Sequence, residues 1–246
     1  MQVIIPRKGI NDEGKGKKFA LLKLISAATD EYVWLRDDDV VPPEATPTLN
    51  ADLIILPLRM AVGAGSILCR LQQAEYAAIQ QVTMASVKRG HPILCSGANL
   101  IVRRERWLEA YEDLHPEVMS GDDMFLLESA KRRGWTIGYA DGAEYEAVVT
   151  PKESLSDLIR QRARWAGKAP IYTDKEIIRV GRWVVIANVL QMLCPAILLI
   201  KFPFEYTLIK KRDPKASLWV ALLLEIIYPY YMLLCLLCGL FRRNRW

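Results

Sequence analysis

Histidine is almost missing from this chain: His91 and His115 are the two present in 246 residues, and they stand apart. They give no basis for a histidine-built metal site. The five cysteines, Cys69, Cys95, Cys194, Cys235 and Cys238, are scattered. Cys235 and Cys238 form a CxxC, but it lies inside an apolar run without a second pair of ligands. Packing, rather than zinc or redox chemistry, is therefore expected, in a reduced cytoplasmic setting. There is no internal repeat and no low-complexity stretch. Met1-Gln2-Val3-Ile4-Ile5-Pro6 offers only three consecutive apolar residues and no small-residue cleavage site, so it does not read as a secretory signal. Membrane attachment is expected from the C-terminal part instead. Basic residues are not interleaved with aromatics and no nucleic-acid module is visible, so nucleic acid is not expected as a partner.

What is present is unevenly spread. Hydrophobic residues make up 52% of the chain; charges fill the first three-quarters, and apolar runs dominate after Trp183. The net charge of +5 owes much to Lys210, Lys211, Arg212, Arg242, Arg243 and Arg245 beside those runs, a placement suited to anionic headgroups. Apolar patterning predicts strands at 3–5, 32–35, 53–58, 100–102 and 136–139, and helices at 19–28, 71–87, 105–111 and 124–133. Such alternation implies an α/β domain with a largely parallel sheet. Ser154 followed by Asp157 predicts a capped helix start. The segments 183–200 and 218–241 approach the roughly 20 residues of a bilayer crossing. The second contains Glu225 and Pro229. The first carries Asn188, Gln191 and Pro195, and could instead lie in the interface or bend. A buried helical hairpin of a soluble protein is the plainer alternative.

Asp37-Asp38-Asp39 ends an apolar run. Ligands of open α/β sheets bind at the carboxyl ends of strands, and adjacent carboxylates repel one another unless a cation is near. In an extended segment Asp37 and Asp39 point the same way and can address one ion. Hard divalent cations such as Mg²⁺ or Mn²⁺ take oxygen ligands and bridge to phosphates. A solvated acidic turn before Pro42-Pro43 is the plain alternative. Ser96-Gly97-Ala98-Asn99 joins two apolar stretches, and its glycine suits either an ordinary turn or close approach by a ligand. Gly121-Asp122-Asp123 opens a helix, where the dipole favours acids. In Gln161-Arg162-Ala163-Arg164-Trp165, Gln161, Arg164 and Trp165 share one helical face. An amide, a guanidinium and an indole together can bind diphosphate and stack on a sugar; Arg160, Arg162, Arg164 and Lys168 could equally meet lipid headgroups. Gly9 to Lys15 nearly spells a phosphate-binding loop, but Gly16 stands where a serine or threonine should coordinate magnesium.

In this order, ahead of two apolar segments, the motifs resemble the C-terminal two-thirds of a membrane-bound family 2 glycosyltransferase, over nearly the whole chain. The resemblance implies a GT-A-like, Rossmann-like mixed sheet domain over residues 1–170, incomplete at its N-terminus. A membrane region with two transmembrane helices would follow over 171–246. It implies that Asp37 and Asp39 hold the diphosphate of a nucleotide sugar through Mg²⁺ or Mn²⁺, and that Asp123 is the general base. Gly97, Asn99 and Asp122 would line the acceptor side, and Gln161, Arg164 and Trp165 would shape the diphosphate and acceptor site. Gly16-Lys17-Lys18 resembles the family's GK segment, with Lys17 neutralising phosphate. The chain departs from the family in having Gly-Asp-Asp in place of a triplet with glutamate in the middle. The expected activity is an inverting, metal-dependent transfer of sugar to a lipid or glycan acceptor. The expected location is multi-pass in a membrane with the catalytic domain facing the cytoplasm; oligomeric state is left open. The alternative is a truncated, inactive membrane protein that scaffolds or regulates glycan assembly, and a P-loop hydrolase is a distant third.

Overall fold

The computed structural model describes residues 1–6, 16–61, 65–118 and 120–241. The loop at 9–15 and the arginines Arg242, Arg243 and Arg245 lie outside the described residues. The chain divides into two compact units, one made of Met1–Leu58 and Thr83–Val149, the other of Arg59–Val82 and Thr150–Trp246.

The first unit is built on strands β1 (Gln2–Ile4), β2 (Tyr32–Arg36), β3 (Leu53–Ile55), β5 (Asn99–Arg103) and β6 (Ile137–Tyr139), in the order β1-β2-β5-β3-β6. β4 (Leu58–Met60) and β7 (Ala147–Val149) lie outside this sheet. The expected strand at 53–58 is split at Leu56-Pro57, since proline has no N–H to give to a ladder. The sheet is mixed: β1 runs parallel to β2 and β3 to β6, while β5 runs antiparallel to both of its neighbours. One sheet face packs Tyr32, Trp34, Ile54, Leu56 and Ile101 together, as a two-residue period requires. Helices α1 (Lys17–Ala27), α3 (Arg104–Glu109) and α4 (Asp122–Arg132) bury Leu21, Ile25, Trp107, Phe125, Leu126 and Leu127.

The second unit is helical. It contains the first part of α2 (Ile67–Lys88), α5 (Leu155–Ala166), α6 (Lys175–Leu193), α7 (Leu198–Arg212) and α8 (Leu218–Phe241). Helix α5 thus clusters with the C-terminal helices. Its start is capped as expected, Asp157 N–H donating to the Ser154 hydroxyl at 3.1 Å. Glycine sets its approach to α8: a Cβ on Gly239 would lie 2.7 Å from the Gly167 nitrogen and against the Ala163 carbonyl. Ala74, Ala77, Ile209, Val220, Ala221 and Leu224 form the apolar cluster joining α2, α7 and α8. The carboxylate of Glu75 on α2 receives Nη2 of Arg162 on α5 at 2.8 Å, with both side chains 7% exposed.

The segment 183–200 is not one helix, which corrects the expectation of two spans. Helix α6 starts earlier, at Lys175, and stops at Leu193; Cys194 turns to φ −135°, ψ 89° ahead of Pro195. Proline drives its preceding residue out of helical geometry. Among the described residues, Leu218–Phe241 alone is long and apolar enough to cross a membrane, with a mean hydropathy of 2.1. Its Glu225 is 2% exposed and paired with Lys201 of α7, which also meets Asn188 and Glu205, each at 3.2 Å. A carboxylate is tolerable in so apolar a helix because the ammonium neutralises it.

Removing one member of a buried ion pair leaves an uncompensated charge, at a cost of about 3–5 kcal/mol. Glu75→Gln is therefore expected to destabilise the protein by about that amount in denaturant unfolding in detergent. Glu75→Leu combined with Arg162→Met should recover most of the loss; an equal loss in the double variant would refute the assignment.

Candidate functional site

The reversal of β5 creates the site. Because β5 is antiparallel to β2, Arg36 pairs with Asn99. The chain leaving β2 at Asp37 therefore runs beside the chain entering β5 through Ser96-Gly97-Ala98. The site sits at the carboxyl end of β2, where ligands collect in α/β sheets. Two helix starts complete it: Lys17 is the first residue of α1, and Asp122-Asp123 open α4 after Gly121, which holds a φ of 89°. Positive φ is easy for glycine, and the turn it makes aims both acids from the first helical turn, where the dipole favours them.

Five of the sequence-predicted residues converge here: Lys17, Asp37, Gly97, Asp122 and Asp123. Lys17 Nζ lies 2.8 Å from Asp37 Oδ1 and 3.2 Å from Asp122 Oδ2. The Asp122 side chain is only 9% exposed, those of Lys17 and Asp37 31% and 38%. Burial pulls the Lys17 pKa down, but Asp122 and Asp37 outweigh it and hold the ammonium above the ordinary lysine range. Asp123 is held by main-chain donors: Gly97 N–H to Oδ2 at 3.1 Å, and Met124 N–H to Oδ1 at 2.8 Å. Room at Gly97 is tight. A Cβ there would lie 3.1 Å from Asp122 Oδ2 and 3.4 Å from Lys17 Nζ.

Two expectations change. Strand geometry ends at Arg36, and Asp38-Asp39 form an exposed turn, so the extended run meant to aim Asp37 and Asp39 the same way is absent. Asn99 does not face an acceptor. It is fully buried, accepting from Trp34 Nε1 at 2.9 Å and donating to the carbonyls of Pro57 at 2.9 Å and Tyr145 at 3.0 Å. Its amide is a core brace that holds the start of β5. Cys95 is a neighbour that the sequence gives no reason to expect: it donates its thiol to the Asp123 carbonyl at 3.0 Å. Burial, then Asp123 and Asp122, push that thiol well above its usual range. A scattered cysteine carries no sequence signal for this.

Among the described residues no three His, Cys, Asp or Glu side chains cluster as a metal cage. The donor chemistry still suits a cation shared with a substrate, since Mg²⁺ and Mn²⁺ sites commonly combine one or two carboxylates with phosphate oxygens. The Lys17 ammonium against Asp37 and Asp122 already shows these carboxylates holding a positive charge.

The fourth motif belongs to the second unit. Gln161, Arg164, Lys152, Asp157 and Arg160 line a surface groove of about 390 Å³. Trp165 is 36% exposed. Arg162, for which lipid headgroups are the plain alternative, turns inward to Glu75 and stacks 4.1 Å from the centre of the Trp165 ring, while donating to Gln161 Oε1 at 3.0 Å. Its neighbour Trp165 is thereby fixed in orientation.

A sequence-family model described as "Glycosyltransferase like family 2" matches residues 2–168. A solved structure described as "Crystal Structure of a Mycobacterial Protein" is similar at 18% identity with a TM-score of 0.32, over 61% of this chain and 50% of that one. The chain thus spans half the length of that protein, and a likeness this slight carries no argument. Comparison with curated proteins finds no match.

Gly97→Ala should push the Asp122 carboxylate by a few tenths of an ångström and lower stability by about 1 kcal/mol, the low end of the range for overpacking. Gly181→Ala is the control, since a Cβ there meets open space and alanine gains about 1 kcal/mol over glycine in a helix. Thermal unfolding of both variants checks this, and equal melting of Gly97→Ala and wild type would contradict the crowding.

Proposed function

Because the chain belongs to glycosyltransferase family 2, we propose that it transfers a sugar, with inversion, from a nucleotide-diphosphate sugar to a lipid or glycan acceptor at a membrane. Family membership makes it a glycosyltransferase with a nucleotide-sugar donor and an acceptor, and the mixed α/β sheet is consistent with a GT-A domain. The finer reading rests chiefly on one observation: Asp123 stands beside the Lys17–Asp37–Asp122 cluster with both carboxylate oxygens aligned by main-chain N–H groups.

In this reading Asp123 accepts the proton of the acceptor hydroxyl. That oxygen forms its bond to the anomeric carbon as the carbon–diphosphate bond breaks on the opposite side, inverting the centre. The electron pair leaves with the nucleoside diphosphate. Gly97 and Met124 N–H orient the base without moving, which is how a fixed site lowers the cost of proton transfer. Lys17 neutralises charge on the leaving diphosphate. Of the two aspartates first expected to hold a divalent cation, Asp37 is the one that stands in the cluster; a cation held there would add neutralisation of the leaving group. On α5, in the second unit, Gln161, Arg164 and Trp165 present an amide, a guanidinium and an indole, groups whose chemistry suits phosphate and a sugar face.

Membrane association is supported by α8 and by the exposed apolar surface around α6 and α7, where Leu193, Leu199 and Ile200 are 77%, 77% and 80% exposed. Large apolar side chains this exposed on successive helices suit an apolar surround such as a bilayer. Lys175, Arg179 and Arg182, with Trp183, form a basic and aromatic patch on α6 suited to an interface.

Asp123→Asn keeps the size of the side chain and one of its two oxygens as an acceptor for a main-chain N–H, but removes the proton acceptor. Transferase turnover should fall about 10²–10⁴-fold with nucleotide affinity retained. Asp37→Asn should weaken nucleotide binding itself. Turnover assays across a nucleotide-sugar panel, beside calorimetry with UDP and GDP, check both; near-wild-type turnover in Asp123→Asn removes it as the base.

A further inference from the structure

Arg162 follows Gln161 directly and stands three residues before Trp165, yet its own side chain is buried against Glu75 of α2. The contact has two points: Nη2 reaches Oε2 at 2.8 Å and Nε reaches Oε1 at 3.4 Å. A two-point carboxylate contact fixes the plane of a guanidinium as well as its position. In that plane its Cζ lies 4.1 Å from the centre of the Trp165 ring, and the remaining Nη1 donates to Gln161 Oε1 at 3.0 Å. One carboxylate thus sets two exposed-side residues of α5 through a single buried arginine. One helical turn earlier on α2, Gln72 is 2% exposed and clamps the groove residue Lys152 at both backbone ends. Its Nε2 donates to the Lys152 carbonyl at 2.8 Å, and its Oε1 accepts from the Lys152 N–H at 2.9 Å. Stability alone does not call for a buried ion pair here, because apolar residues of similar volume are often as stable. Orientation does call for it.

Resting on the glycosyltransferase reading, we infer that Glu75 is a positioning residue for sugar recognition on α5. It holds Arg162 in the plane that presents the Trp165 ring and the Gln161 amide, which share one helical face. Without that hold, both side chains regain rotamer freedom that a bound sugar must remove again. Glu75 touches no substrate itself, and its effect reaches the site through Arg162.

The test uses the full chain in detergent, labelled with 5-fluorotryptophan, the Trp165 fluorine signal being assigned by its loss in Trp165→Phe. Wild type should give one narrow Trp165 signal. Glu75→Leu combined with Arg162→Met should melt near wild type, yet its Trp165 signal should shift and broaden. Its turnover, read as UDP or GDP released from a nucleotide-sugar panel, should fall about tenfold, the effect of having to order such side chains on binding. The KM for the nucleotide sugar should stay unchanged. Arg162→Lys keeps the charge facing Glu75, and hence the fold, but an ammonium has neither a flat face nor a fork. It should move the Trp165 signal and lower turnover in the same way. A double variant that regains turnover along with its stability would overturn the positioning role, and so would an unmoved Trp165 signal in Arg162→Lys. No release from wild type with any nucleotide sugar would instead remove the glycosyltransferase reading, and the Trp165 signal would still decide whether Glu75 sets the ring.

Discussion

Three carboxylates gathered at one sheet edge repel one another, and the fold tolerates them because Lys17 stands among them. Its ammonium joins Asp37, at the end of β2, to Asp122, at the start of α4. Two elements distant in sequence are thereby tied at their chemical ends. The rest of the site is arranged around that tie. Gly97 packs closely, since a Cβ there would lie 3.1 Å from Asp122 Oδ2, and its N–H turns to Asp123. The next lysine reinforces the arrangement. Lys18 donates to the carbonyls of His115 and Val118, both at 2.8 Å, holding the loop that leads into Gly121-Asp122-Asp123. One helix start therefore positions both the acids and the loop that carries them.

The antiparallel course of β5 is the second constraint, and Asn99 is its brace. A side chain with no exposure must have its polar atoms satisfied, and Asn99 does so by bonding to Trp34, Pro57 and Tyr145 at once. That links three chain segments of the sheet unit at the point where β5 begins. The motif Ser96-Gly97-Ala98-Asn99 thus divides its labour: the glycine serves the site and the asparagine holds the scaffold under it.

In the helical unit the same division recurs within Gln161-Arg162-Ala163-Arg164-Trp165. Arg162 is spent on Glu75 and on the Trp165 ring. Ala163 is buried and Gly167 admits the Gly239 backbone of α8. Gln161 and Arg164 remain toward the groove. Small residues at a helix contact let backbones approach closely, the arrangement favoured where apolar burial alone gives little drive to associate. The helix carrying the motif is thereby fastened to the one helix of membrane-crossing length and apolarity among those described.

Features set by near neighbours are legible in the sequence. The apolar run at 218–241 is the helix Leu218–Phe241, and Ser154 caps α5, because run length and capping depend on residues within a few positions. The break at Pro195 follows from a local rule as well, yet apolarity alone makes 183–200 look continuous. The sequence also identifies the family and five residues that meet at the site. What it does not convey is which charge meets which. The sequence does not reveal that Lys17, Arg162 and Asn99 meet Asp122, Glu75 and Pro57, which lie far along the chain. The direction of β5 is equally hidden, because a strand's apolar pattern reads the same in either direction. Periodicity and caps are short-range and survive in the order of residues; charge pairing and strand direction are decided only when the chain crosses itself, where burial makes an unpaired polar group too costly to leave.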